Sequence, residues 1–96
     1  MGVTRLALWR ETAGREHTLY RLFDADDNLL YVGISFMPEN RLNQHRREKP
    51  WWCQVARREL VSYPDRNAAA DAERKAIANE RPIYNVNRFR HHRDAA

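Results

Sequence analysis

The sequence predicts an α+β fold, a small three-stranded antiparallel sheet flanked by helices. Three observations lead there. Two runs of strand formers, 18–23 and 29–34, are separated by a short polar turn. A third strand-like run, "ELVSY", spans 59–63. Helix signals opened by Pro38 and by Asp65 lie between and after the strands.

Ninety-six residues form one domain, and a hydrophobic fraction of 43% with three Trp, four Tyr and three Phe supports a small core. A chain this size buries roughly 60–70% of its unfolded surface. The apolar runs are too short to span a membrane. No signal-peptide core follows Arg5, so a cytoplasmic, intracellular protein is expected. Cys53 is the single cysteine, which excludes an internal disulfide and a multi-cysteine zinc site. Lys and Arg number 17 against 13 Asp and Glu, a net charge of +4. That excess favours a polyanionic partner, nucleic acid first, with an ordinary solvated surface as the alternative. It is uneven. Arg88, Arg90 and Arg93 with His91 and His92 stand against one Asp94, either as a basic arm or as an end without a role.

In chain order, "TRLALWR" at 4–10 is a short strand or a helical turn, punctuated by Ala13-Gly14. "TLYRLF" at 18–23 is rich in strand formers but alternates imperfectly. "DADDN" at 24–28 has turn composition, and "LLYVGI" at 29–34 completes a hairpin. The D-x-D-x-N opening also begins a calcium loop, but Leu29 stands where that loop needs Gly, and its bidentate Glu is missing. A four-residue loop, Asp24–Asp27, sets Phe23 against Asn28, Leu22 against Leu29 and Tyr20 directly against Tyr31. An odd, unbulged loop would put the two tyrosines on opposite faces.

Residues 38–49 read as a helix ended by Pro50. Leu42 is almost its only apolar residue, so no wide stripe seats it on a core. Arg41 and His45, four apart, share a face and look into a wet cleft, at a ligand, or simply into solvent. One of Trp51 and Trp52 is expected in the core. Asp65 is the N-cap of a helix over 66–80, with Pro82 beyond its end. Ala69, Ala72, Ala76 and Ile77 form its inward stripe, and Glu73 falls on the same stripe. A carboxylate on a buried face needs a reason. An ion pair with Arg or Lys is one; a Mg²⁺ ion held by one carboxylate and waters is the other.

Taken in order, Tyr20 closing "TLY", Tyr31-Val32-Gly33, Arg41 and His45, mid-helix Glu73 and "RPIYN" ending at Asn85 resemble the GIY-YIG nuclease family. The resemblance runs from about Thr18 to Asn85, and the ordered set is specific where single pieces are not. It implies a GIY-YIG-like α/β sandwich and metal-dependent endonuclease cleavage of DNA phosphodiester bonds with one Mg²⁺ or Mn²⁺. On the matched positions Glu73 would bind the metal and Arg41 would offset charge on the phosphoryl oxygens. Tyr20 would be the general base, with hydrogen bonds from Tyr31 and His45; His45 as the base is the alternative. Asn85 would hold the site's geometry. Gly33, Arg41 and Arg46 are the expected substrate contacts. Two departures stand out: "TLY" in place of Gly-Ile-Tyr, and Ile34 where many relatives carry a basic residue. The division expected is an N-terminal extension over 1–17, the nuclease domain over 18–86 and a basic tail over 87–96. No separate DNA-reading module is expected. Double-strand cleavage would then need a homodimer, two nicks or a partner protein. The rivals are a non-catalytic nucleic-acid-binding module on the same fold and an interaction domain. The second predicts exposed tryptophans and the two tyrosines on different faces.

Overall fold

The structure, a computed structural model, describes residues 14–85. The 4–10 stretch and the basic tail over 87–96 lie outside the described residues. Strands β1 (His17–Phe23), β2 (Leu29–Ser35) and β3 (Arg57–Tyr63) form an antiparallel sheet in the order β2-β1-β3. Helix α1 (Pro38–Glu48) and a 3₁₀ turn (Pro50–Gln54) cover one face. Helix α2 (Arg66–Glu80) covers the other. The α+β sandwich read from the sequence is the architecture found. No helix among the described residues is long and apolar enough to cross a membrane.

The imperfect alternation of "TLYRLF" follows from its place. β1 is central, so both of its faces are covered and both must be apolar. Leu19 is buried toward α2, while Tyr20 and Leu22 are buried toward α1. Arg21, on the α2 side, lies at the margin and closes a bidentate pair with Glu80, at 2.9 and 2.8 Å.

The hairpin loop differs from the expected four residues. Phe23 pairs with Leu29, leaving the five residues Asp24–Asn28 as the loop. The Asp24 carboxylate organises it, accepting the N–H groups of Asp26 and Asn28, each at 2.9 Å. These bonds, led by that from Asn28, hold the Asp24 carboxyl below its usual range. Asp27 takes the left-handed conformation, φ 62°. An odd loop should have sent the tyrosines to opposite faces. A bulge cancels it: Leu22 pairs with Tyr31 and Phe23 with Leu29, so Leu30 is an extra residue. Tyr20 therefore faces Gly33 rather than Tyr31. The register is two residues from the expected one, the parity is the same, and both tyrosines share the α1 face.

Helix α1 starts at Pro38 after a turn in which Ser35 Oγ accepts the Met37 N–H at 2.9 Å. It buries only Leu42 and His45. Trp51 is the buried tryptophan of its pair and Trp52 is half-buried. Asp65 caps α2 by accepting the Ala68 N–H at 2.8 Å. Arg81, at φ 52°, ends it before Pro82. Ala69 and Ala76 are buried against the sheet, and Ala72 and Ile77 flank Ala76.

Candidate active site

The site is built where β1 and β2 lie under α1. Tyr20 points from the centre of the sheet and is 1% exposed. Its ring lies over Gly33, the residue directly across the ladder. A Cβ on Gly33 would sit 2.3 Å from where Tyr20 Oη now lies and 2.4 Å from the ring carbon bearing it. Gly33 has no positive φ. The glycine is thus a matter of space, a cross-strand aromatic covering a bare backbone. This corrects the expectation that Gly33 leaves room for substrate: the vacated volume belongs to the phenol.

His45 reaches Tyr20 from α1. Its Nε2 and Tyr20 Oη are 2.8 Å apart in a buried hydrogen bond. The shared face expected for Arg41 and His45 divides: Arg41 is exposed, whereas His45 is 2% exposed behind the phenol. His45 Nδ1 is buried and has no partner among the described residues. Protonating the ring would bury a charge. Burial first, then the cations Arg41 and Lys49, push the imidazole down to about 4. Burial, followed by Tyr31, pushes the Tyr20 phenol above its ordinary value; Arg41 opposes this and Glu73 adds to it. At neutral pH the pair is a phenol and a neutral imidazole.

Aromatic packing fixes the pair. The Tyr31 ring lies 6.3 Å from Tyr20 and 5.2 Å, edge-on, from His45. Trp51 backs Tyr31 at 5.5 Å and stacks on Tyr84 at 4.7 Å with 6° between planes. The part of Trp51 and Tyr84 in holding Tyr31 could not be read from sequence, where the Trp51-Trp52 pair was the one signal.

Asn85 is tied to the backbone of β2. Its Oδ1 accepts the Val32 N–H at 2.8 Å and its Nδ2 donates to the Val32 carbonyl at 3.0 Å, both buried. Among the described residues β2 is an edge strand, and these bonds satisfy outward backbone groups that no other described strand reaches. Asn85 positions the strand segment between Tyr31 and Gly33. Ile34 pairs with Leu19 and packs with the α2 side of the core. A basic residue there would point away from Tyr20, so its absence leaves no gap beside the phenol.

Arg41 donates to Gln44 Oε1 at 2.9 Å and also lies close enough to the Tyr20 phenol to favour its ionised form by hydrogen bonding and by charge. Glu73 is half-exposed at the margin of α2, which corrects the expectation of a buried carboxylate. The stripe is narrower than its spacing suggested, because only small side chains bring α2 close to the sheet. Glu73 is near enough to Tyr20 for its charge to be felt there. Arg46 is placed elsewhere. One residue on from His45, it is turned about 100° around α1 and lines a separate groove toward β3.

The family model of the GIY-YIG catalytic domain matches residues 16–90. No curated protein and no solved structure gives a significant match.

Proposed function

The chain belongs to the GIY-YIG family, a nuclease family, and from that premise we propose that it is a DNA endonuclease that hydrolyses phosphodiester bonds with one divalent cation. The observation that carries this is the buried Tyr20–His45 hydrogen bond beside Arg41, with Glu73 near enough for its charge to reach the phenol. A module that only bound DNA would have no use for a tyrosine hydroxyl tied to a buried imidazole. The exposed-tryptophan rival loses support too, because Trp51 is buried and the tyrosines share a face.

Tyr20 and His45 are rival candidates for the base in sequence and act as one unit in this arrangement. A free phenolate is costly here, because burial raises the phenol. A relay avoids it. Water attacks phosphorus and gives its proton to Tyr20 Oη as the phenolic proton passes to His45 Nε2. The P–O bond to the leaving oxygen breaks, and that oxygen takes a proton from solvent. Tyr20 stays neutral, and the imidazolium forms beside a phosphate gaining negative charge. Arg41 supplies a planar cation to the phosphoryl oxygens.

The metal's fit rests on the donor set. No group of three or more His, Cys, Asp or Glu able to hold a metal occurs among the described residues. One half-exposed carboxylate, Glu73, would suit Mg²⁺ or Mn²⁺, which keep most of their waters. When bound, the ion supplies neutralisation of charge on the phosphate and the leaving oxygen. One such site cuts one strand, so double-strand breaks call for a homodimer, a partner protein or a second nick.

The test is supercoiled plasmid incubated with the protein, with Mg²⁺ and with chelator. Nicked circles are expected with Mg²⁺ only. Glu73→Gln should abolish them with an unchanged melting temperature. Full activity in that variant would withdraw the metal assignment, and intact plasmid with the wild-type protein would withdraw the endonuclease reading.

A further inference from the structure

We propose that the groove on the far flank of α1 binds an unpaired DNA strand leaving the active site. This rests on the nuclease reading for its source of DNA, and on a separate set of residues for its chemistry. Glu39, Leu42, Asn43 and Arg46 follow one another at helical spacing and form a stripe of α1 turned from Arg41 and His45. Facing the stripe are the first residues of β3, Arg57 and Arg58, and the half-buried Trp52 of the 3₁₀ turn. Together they enclose an open groove of about 430 Å³.

Three guanidinium groups line this space, and each is held differently. Arg57 is fixed: it lies over the Phe23 ring at 4.1 Å and bonds Asp27 and Glu59. Arg58 spans the groove to Glu39 on α1 at 3.0 Å. Arg46 has no partner among the described residues, although it faces the same space. The Arg58–Glu39 pair is solvent-exposed on both sides, so it contributes little and can exchange. A phosphate offers a planar guanidinium the same two-point hydrogen bonding as a carboxylate and can take its place. Glu39 thus acts as a latch that occupies Arg58 until a polyanion displaces it.

Trp52 selects the kind of polyanion. Part of its indole packs on the cluster of Tyr20, Leu22, Leu42 and Trp51, and part lines the groove. Cations along a groove with an aromatic platform match unpaired nucleic acid, whose bases are free to stack. A duplex has no free base faces to offer it. An acidic peptide would meet the arginines but leave the indole idle. The groove and the Tyr20–His45 pair flank one helix, which is ~10–12 Å across with its side chains. A strand cut at Tyr20 can cross α1 within a few nucleotides.

The experiment measures binding, in chelator, by anisotropy of labelled duplexes that are blunt or carry a single-stranded tail. The tailed duplex should bind the full chain about tenfold tighter than the blunt one. Arg46→Ala and Trp52→Phe should each erase most of that difference and leave blunt-duplex affinity unchanged, with melting temperatures confirming the fold. Glu39→Gln should tighten tail binding alone. Equal affinities for the two duplexes would overturn the proposal. So would equal weakening of both by Arg46→Ala, or displacement of the tail by polyglutamate at similar concentrations. The outcome is independent of the plasmid assay. Tail binding without cutting would sink the nuclease reading and spare the groove; cutting without tail preference would do the reverse.

Discussion

The two faces of the central sheet are packed by different means. On the α2 side, Leu19, Val32 and Ala76 are buried, with Leu29, Ile34, Ala72 and Ile77 around them and Tyr63 the one aromatic ring of the cluster. On the α1 side the buried cluster is Tyr20, Leu22, Leu42 and Trp51, joined by Tyr31, Trp52 and Tyr84. Aliphatic side chains can fill a volume in several ways, and their contribution is chiefly the area removed from water. Rings that stack and carry polar atoms are more constrained. Tyr84 orients Trp51, Trp51 backs Tyr31, and Tyr31 and Gly33 between them leave Tyr20 one place to stand. The first face supplies stability. The second trades packing freedom for the position of one hydroxyl.

That contrast can be broken by substitution, and the largest effect should come from the hydroxyl itself. Tyr20→Phe keeps the ring over Gly33 and removes the relay, so single-turnover cleavage should slow by about 10²–10⁴-fold, with a melting temperature lowered only by the loss of one buried hydrogen bond, roughly 1–3 kcal/mol of stability. Near-normal turnover would move the base role to His45 alone. Gly33→Ala should reach a loss of the same order by another route, since its Cβ cannot coexist with the phenol as placed. A crystal structure or the Tyr20 ring resonances should show the displaced ring; full activity would mean that Tyr20 can shift and still work.

Arg41→Ala should lower the cleavage rate by roughly 10²–10³-fold while DNA affinity falls much less. Equal losses in rate and affinity would recast Arg41 as a docking contact. Leu19→Ala tests the opposite face. It should cost about 2–5 kcal/mol in denaturant unfolding and leave the turnover of the folded protein intact. A rate loss as large as that of Tyr20→Phe would show that the faces are not separable.

The smallest expected effect is a pH dependence. His45 is held at about 4 against an ordinary 6.5, by burial and then by Arg41 and Lys49, with Glu48 opposing. Between those values the unfolded chain binds a proton that the folded chain does not. This contribution is therefore fully present above pH 6.5 and declines as the pH falls toward 4, by on the order of 2–3 kcal/mol. Unfolding midpoints at pH 7 and pH 4.5 should show the decline in the wild type and a shallower one in His45→Gln. An identical slope in both would remove His45 as its source.

Much of the arrangement was legible in the residues. The three strands, the two main helices, the Asp65 cap and the core position of one tryptophan could all be read from composition and spacing. So could the ordered residues that mark the family. Other features were legible only as alternatives. "TLY" and "YVG" could be read as two sheet aromatics near a bend, and His45 as a surface residue of a polar helix. Glu73 was misread as buried because its stripe follows helical period, while the depth of that stripe depends on how closely α2 approaches the sheet. Asn85 could be read as a residue that holds the site's geometry, but not what it holds, because its partner, the Val32 backbone, is 53 residues away in the chain.

The sequence by itself determined which segments become strands and helices and where they stop. Periodicity, caps and prolines act over a few residues, so no distant partner is needed to read them. Only the tertiary structure decided what the site is. The parity of the tyrosines depends on an odd loop and a bulge acting together, Asp24–Asn28 and Leu30. The meaning of Gly33 depends on a phenol from the neighbouring strand. The union of Tyr20 and His45 depends on α1 folding back over the hairpin. Each is a sum over contacts distant in sequence, and local pattern carries no record of that sum.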